Sequence, residues 1–520
     1  MSKIYTLQEA KSLPPGQLKS WAYNALDTTG TREIVDTLLP RLTPAIQHTY
    51  DFERALQNPA FSMMMKGVRI DVVKRAKLVK EIKIELTREL SNISKMKGVV
   101  DVWDGVTLET GWCPEELGKR HKWPKGVADS ERKCERCGVA RIKLKPFEPN
   151  STSQVFRLFY DLHKIQKIKN KKGEFSVDDD VLERIGKKYP KLQHITEAIR
   201  EVRDKTKQLG SLNAKLTPDN RYMSSFNVGA AWTGRFSSSK NPYQIGGNLQ
   251  NWAERHRIIA IPDAGMEIAY LDLKQAESNV VAHVSQDEAY IEAHRIGDVH
   301  TYVCRLVWPD MAWTGDLKRD KTIAKVLPDW DNVPGHDFRF QAKRIQHGSN
   351  FGLTPQGISM IAHIPMKEAA KAQANYFKAF PKIRAWQEAT AKKIRNHETL
   401  TNCLGRTILL FGRPWDPHTI KQGLAFVPQS TVADILDLAM LRAWNDMDPF
   451  ELELLAQVHD ALLLQFPCGK LEVLKKAITY MQIPIPIHDR IMVIQPEVAV
   501  GMNWGKRSDT NPDGIEEIEL

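Results

Sequence analysis

Long apolar runs are missing from this sequence. No stretch approaches the ~18 consecutive apolar residues that would suggest a membrane span, and the opening "MSKIYTLQEAKSL" lacks the apolar centre of a secretory leader. Cysteine is scarce, six scattered through 520 residues, which argues against a disulfide scaffold and for a reducing, cytoplasmic setting. No internal repeat is found. Acidic residues fall short of basic ones, 63 against 74, for a formal charge of +11. That balance favours a polyanionic partner, with a plain solubility feature as the other reading. What is present is the composition of a folded soluble protein, 42% hydrophobic and 26% charged. The length exceeds one ordinary core, so several domains are expected.

Along the chain, "SWAYNALDTTGTREIVDTLLPRL" places apolar residues at helical spacing. "MMMKGVRID" gives a turn at Gly67, followed by a long charged amphipathic helix in "VVKRAKLVKEIKIELTRELSNI", expected to stand away from the core on one face. Residues 98–149, rich in Trp, Cys, Gly and Pro, break the pattern and read as an inserted module. The basic run "HKIQKIKNKKGEF" is either a solvated loop or a backbone-phosphate contact. "FNVGAAWTGRFSSSKNPYQIGGNLQNW" is a long polar loop of the kind usually kept for function. "MEIAYLDLKQAESNVVAHVS" runs from an apolar strand into a helix, and "ELELLAQVHDALLLQFP" reads as two strands joined at His459 and Asp460. Residues 285–425 are mostly helical, interrupted by a second expected insertion, "DMAWTGDLKRDKTIAKVLPDWDNVPGHD".

Two carboxylates sit where apolar runs stop: Asp272 and Asp460. Buried unpaired carboxylates are costly, so such residues either hold a cation or serve as turn residues. A strand-end pair suits two Mg²⁺ ions, which take oxygen ligands and bridge substrate phosphates. In "FRFQAKRIQHGSNFGL", Arg339, Lys343, His347 and Phe351 fall at steps of four and form one slowly winding helical stripe. Arg339 and Lys343 can meet a triphosphate together, with His347 and Phe351 nearer a sugar and base. Gly348 and Gly352 beside the stripe suggest close backbone approach to a ligand. In the 98–149 insert, Cys134 and Cys137 in "CERCG" form half of a zinc site, and Cys113 with His121 offers a looser second half. Unpaired reduced thiols are the other reading.

These segments carry a resemblance to the family A DNA polymerases, the bacterial DNA polymerase I type, and above all to their bacteriophage members. The three polymerase motifs occur in order as "LDLKQAESNVVAH", "RFQAKRIQHGSNFG" and "AQVHDALLL", supported by "TGRFSSS", "NLQN", "GDVHT", "YFKAFPKIRAW", "CLGR" and "PQSTVAD". The likeness spans roughly residues 46–504. It implies an α+β right hand: a palm with an antiparallel sheet, helical fingers and thumb, and the inserted module, zinc-bound or not, near the thumb. The expected division is an exonuclease remnant at 1–45, palm start and thumb at 46–225, palm with the first catalytic Asp at 226–290, fingers at 291–424 and palm with the second at 425–520. The resemblance implies two Mg²⁺ ions on Asp272, Asp460 and the Leu273 carbonyl, with Arg339, Lys343 and His300 on the triphosphate. Gln275, Glu277, His347 and Phe351 complete the dNTP site, with Glu277 as the steric gate against a 2′-hydroxyl. Arg235, Asn248, Gln250, Asn251, Gln429 and His459 match residues that contact primer and template.

Three departures stand out. His347 replaces the usual Phe or Tyr. Phe351 replaces a Tyr whose hydroxyl normally holds the gate Glu. Ala461 replaces the Glu that usually follows the second Asp. Tyr23 and Asp27 in "YNALD" resemble the last motif of the family's 3′-5′ exonuclease, whose earlier motifs have no room before residue 23. The chain is therefore expected not to proofread alone, and a separately encoded exonuclease or other replisome protein is an expected partner beside primer-template DNA and dNTPs. The rival readings are a single-subunit RNA polymerase and an inactive DNA-binding scaffold subunit. Glu277 and "NLQN" speak against the first, and both Asp residues with Arg339, Lys343 and His300 speak against the second.

Overall fold

In the computed structural model, the described residues are 15–108, 113–115, 120–124, 132–139, 142–170, 173–331, 333, 335–448 and 451–520. Three large apolar cores organise them, with a fourth small cluster of Ile394, Leu400 and Phe426.

The largest core lies against a six-stranded sheet made of β1 (Met266–Leu273), β2 (Glu453–Val458), β3 (Ala461–Pro467), β4 (Pro496–Gly501), β5 (Asn503–Lys506) and β6 (Gly514–Glu517). Its order is β2-β3-β1-β4-β6-β5, antiparallel except at the β5–β6 edge. β2 and β3 are buried almost continuously rather than at alternate residues, because both sheet faces are covered. One cover is the helix Pro417–Asp446, a 30-residue element containing Pro428. It is apolar and long enough to cross a membrane, but 72% of its apolar window is buried inside the molecule. The missing Pro428 N–H and its ring interrupt the helical ladder. Ser430 and Thr431 hydroxyls donate to the Phe426 and Val427 carbonyls nearby, each at 2.7 Å.

The second core belongs to a cluster of short helices with Tyr290, Val303, Ile345, Ile358, Tyr376 and Phe380 fully buried. Three of them matter below, α1 (Ala276–Val284), α2 (Val299–Val307) and α3 (Phe338–Asn350), together with α4, the Pro417–Asp446 helix over the sheet. α3 starts where the Asp337 carboxylate accepts from Phe340 N–H at 2.7 Å, an N-cap that satisfies an otherwise orphaned donor. The polar 310–337 stretch, expected as a second insertion, packs onto the neighbouring helices where it is described. Buried Asp320 accepts from Thr314 N–H and Oγ1, both at 2.8 Å, and Trp330 packs edge-on against Phe338.

The third core joins Ile93, Val155, Phe159, Val181, Ile185, Ile195 and Ile199, in the region expected to be the thumb. Its long helices, Val72–Ile93 and Gln193–Leu212, pack side by side, and Lys205 pairs with Glu85 at 3.0 Å between them. Only Ile82 and Ile93 of the first helix are buried, as its charged pattern predicts. Arg75 at its base donates to the Leu212 and Ala214 carbonyls, at 2.5 and 2.7 Å. The 98–149 insert rises from the thumb on a two-stranded stalk, Val106–Leu108 against Ile142–Leu144. Arg157 forks onto Asp104, and Trp103 donates Nε1–H to the Lys145 carbonyl at 3.1 Å.

Candidate active site

β1 ends at the bottom of a cleft of about 490 Å³, and the turn between β2 and β3 ends beside it. Ala461 pairs with Asp272 across the β3–β1 ladder, and Leu273 N–H donates to the Asp460 carbonyl at 3.1 Å. The two carboxylates therefore leave from adjacent strand ends whose register is locked. Sharp backbone turns make this possible: His459 and Gln275 both adopt left-handed conformations, φ 55° and 50°, which non-glycine residues rarely occupy outside turns and functional sites. On the other side of β1, Glu497 of β4 stands opposite Asp272 in register and also lines the cleft. Its carboxylate pairs with Lys274 at 3.1 Å. Burial first, then the charges of Asp460 and Glu497, push Asp272 up to about 7. A partly buried set of carboxylate oxygens, in which Asp272 resists ionisation, is suited to divalent cations.

The sequence reading missed Glu497. "QPEVAVG" carries a lone Glu, and only the β1–β4 register sets it beside Asp272.

α3 forms the opposite wall. Arg339, Lys343, His347 and Phe351 all line the cleft, as the four-residue spacing predicts. Each is held differently. Arg339 forks onto Asp298, Nε and Nη2 lying 3.0 and 2.9 Å from its two oxygens. Burial opposes ionisation of Asp298, yet Arg339 holds it at about 2. Burial lowers His300 to about 4, so at neutral pH it is an uncharged ring rather than the expected cation. Its Nδ1 lies 2.6 Å from Gln346 Oε1. Gln346 in turn donates to Tyr290 Oη at 2.6 Å, with Asn350 donating there at 3.0 Å, so a buried polar network fixes the back of α3. Lys343 and His347 are exposed on the cleft side, and Phe351 is buried.

Glu277 on α1 accepts from Arg235 Nη2 at 2.5 Å, and the same nitrogen reaches Asp460 at 3.0 Å. The other Glu277 oxygen, Oε2, is buried without a hydrogen bond among the described residues and lies 3.9 Å from His347 Nδ1. Phe351 has no hydroxyl to offer it. The glycines beside the stripe serve packing instead of a ligand. A Cβ on Gly348 would lie 3.0 Å from Ile358, and Gly352, at φ +71°, makes the turn out of the helix. Neither glycine lines the cleft, so the close backbone approach expected of them is not found there.

The remaining candidates scatter between cleft and scaffold. Gln250 is buried, donating to the Gln457 carbonyl at 3.1 Å and side-chain oxygen at 3.0 Å. Asn248 caps the short helix Leu249–Asn251, accepting from Asn251 N–H at 3.1 Å and from Ser238 Oγ at 2.7 Å. Asn251 and His459 are exposed, and Gln429 is half-buried on α4. Tyr23 and Asp27 are exposed one turn apart on the helix Pro15–Leu38. Cys113, His121, Cys134 and Cys137 converge in the insert.

Strand-end carboxylates on an antiparallel palm, faced by a cation-bearing helix and flanked by a helical thumb, define the right-hand class of polymerase folds. The model of DNA polymerase family A matches residues 127–506, and the chain belongs to that family. Thermostable DNA polymerase I of Thermus aquaticus is 30% identical over 387 residues, covering 70% of this chain and 42% of the relative. The Thermus filiformis enzyme is 26% identical over 522 residues, covering 96% and 54%. The chain thus spans about half the length of these relatives. Among solved structures, the polymerase domain of Pol1 from M. smegmatis, in complex with DNA primer-template and dNTP, superposes with a TM-score of 0.64 at 20% identity, covering 87% of this chain and 70% of that one.

Proposed function

We propose that this chain is a template-directed DNA polymerase that adds dNTPs to a primer 3′-hydroxyl with the help of two Mg²⁺ ions. The observation that carries the reading is the convergence of Asp272 and Asp460, from adjacent strand ends, with Arg339, Lys343 and His300 across a single cleft. Asp272, Asp460 and the Leu273 carbonyl are the proposed metal ligands. When bound, the ions would activate the primer hydroxyl and stabilise the leaving pyrophosphate.

The chain's own groups have separate tasks in this scheme. Lys343 presents an exposed ammonium to the triphosphate. Arg339 adds a guanidinium whose direction is set by Asp298. His300 enters uncharged, and an approaching polyphosphate would favour its protonation. Gln275 and Glu277 flank the sugar, where the Glu277 carboxylate obstructs a 2′-hydroxyl. Arg235 ties that gate to Asp460. Asn248, Gln250, Asn251, Gln429 and His459 are proposed on the primer-template side, with Asn248 and Gln250 shaping the surface from behind. His347 and Phe351 would border the nascent base pair.

The same reading divides the chain into an exonuclease remnant at 1–45 containing Tyr23 and Asp27, thumb and palm start at 46–225, palm at 226–290 and 425–520, and fingers at 291–424. Its proposed partners are primer-template DNA, dNTPs and a separately encoded exonuclease or other replisome protein, in a cytoplasm. Primer extension with dNTPs or rNTPs, with and without Mg²⁺, tests the reading. Mg²⁺-dependent incorporation of dNTPs is expected. Preferential rNTP incorporation would assign an RNA polymerase, and no incorporation with intact DNA binding would assign a scaffold.

A further inference from the structure

The described residues of the 98–149 insert form almost no apolar core of their own. The root of the insert shares the thumb's core through Val99, Val102, Trp103 and Phe147. Beyond the stalk, among the described residues between 109 and 141, the buried side chains are those of Cys113 and Cys134. A module this small without an apolar centre needs a staple. Four ligand-type atoms sit where a staple would be: the sulfurs of Cys113, Cys134 and Cys137 and a ring nitrogen of His121, all within 4.8 Å of one another.

The chain is folded around this point by backbone bonds. Cys134 N–H donates to the Val139 carbonyl and Gly138 N–H to the Cys134 carbonyl, both at 2.9 Å, so the CxxCG turn closes on itself, with Gly138 at φ +70°. Glu135 N–H donates to the Lys122 carbonyl at 2.9 Å, and Lys122 pairs with Glu135 at 2.6 Å, which draws the His121 segment onto the turn. Cys113 Sγ lies 4.0 Å from Cys134 Sγ, and Cys137 Sγ lies 3.2 Å from His121 Nδ1. Zinc–sulfur and zinc–nitrogen bonds of about 2.3 and 2.0 Å give tetrahedral edges of about 3.8 Å between two sulfurs and about 3.5 Å between sulfur and nitrogen. The observed separations bracket those edges, while 4.0 Å is about twice a disulfide bond.

We propose that Cys113, His121, Cys134 and Cys137 hold one tetrahedral zinc ion that folds the thumb insert. Three thiolates and an imidazole are soft donors that select zinc over the Mg²⁺ proposed for the cleft. Four protein ligands leave no open position, so the ion is structural. Its role is independent of the polymerase reading: the site lies in the insert and shares no residue with the cleft.

The full chain, stripped and dialysed against zinc, is expected to retain about one equivalent, and the Cys134→Ser/Cys137→Ser variant less than about a fifth of that. Cobalt reloading of the wild-type chain gives a second measurement that no variant's misfolding can spoil. Intense tetrahedral d–d bands with thiolate charge transfer are expected. Chelation in excess Mg²⁺ should expose new reactive thiols and open protease cleavage between Leu108 and Ile142. Wild-type retention below about a tenth of an equivalent would overturn the site. So would an octahedral cobalt spectrum, or thiols released by reductant but not by chelator, which would assign a disulfide.

Discussion

Two acidic pairs invite comparison. Asp272 and Asp460 meet at the ends of neighbouring strands, while Asp434 and Asp437 lie one turn apart inside α4. Burial raises both Asp272 and Asp434 from their ordinary values. Yet the surroundings differ. Arg406 binds Asp434 at 2.8 Å and Glu53 at 2.6 Å, and Asn402 donates to Asp434 at 2.6 Å, so that network is complete within the protein. Asp437 is fully buried with neither oxygen hydrogen-bonded among the described residues. Asp272 instead opens onto a cleft. A perturbed carboxylate thus marks a site only where a ligand can reach it; in a helix interior it is part of the scaffold or a defect in it.

Removing either cleft carboxylate should have the largest effect. Asp272→Asn or Asp460→Asn is expected to lower primer extension by on the order of 10³-fold or more, the loss of several kcal/mol of metal-borne stabilisation. Gel-shift affinity for primer-template should change little. Near-wild-type extension in either variant would sink the two-ion reading.

Arg406→Leu tests the scaffold pair. It strands Asp434 and Glu53 and should cost about 3–5 kcal/mol in chemical denaturation, as breaking a buried pair does. A change within about 0.5 kcal/mol, the range of an ordinary surface substitution, would mean that the network is solvent-screened.

Asp437→Leu should do the opposite and stabilise the protein by about 1–3 kcal/mol, the cost of an unsatisfied buried polar group, while Asp437→Asn keeps the polar atoms and removes only the ionisation. Burial raises this carboxyl well above its usual range. The folded state therefore keeps a proton that the unfolded chain has lost. Stability must then fall as pH climbs past the ordinary carboxylate range, with a slope of up to about 1.4 kcal/mol per pH unit, until the folded pKa is passed. Denaturation midpoints measured across that window should flatten in the Asn variant; an unchanged slope would show that Asp437 has a partner.

The comparison also explains what could be read in advance. The strand ends at Asp272 and Asp460 and the stripe on α3 follow from local periodicity, and local periodicity survives folding. Arg339's engagement with Asp298 and Glu497's place beside Asp272 depend on register and on helix-to-helix approach, which no short window encodes. Gly348 misled because a glycine needed for helix packing and one needed for ligand approach look alike in sequence. The buried Gln250 and the capping Asn248 show the converse: residues marked for DNA contact by resemblance also carry backbone bonds.

Glu277 stands between the two cases. One oxygen is satisfied by Arg235, as Asp434 is by Arg406, and the other is buried and unbonded, as in Asp437. Phe351 lines the same cleft, with its ring 4.7 Å from that of His347. Phe351→Tyr offers that oxygen a hydroxyl donor and should hold the carboxylate more firmly against a 2′-hydroxyl. A bond to a charged group contributes about 1.5–3 kcal/mol. With part of that offset by desolvating the new hydroxyl, dNTP-over-rNTP discrimination should rise by roughly tenfold, about 1.4 kcal/mol. Single-turnover incorporation of a dNTP and its matching rNTP by the two proteins measures this. Equal discrimination would show that His347, 3.9 Å from Glu277 Oε2, already performs the holding, and His347→Phe should then be the variant that loosens the gate.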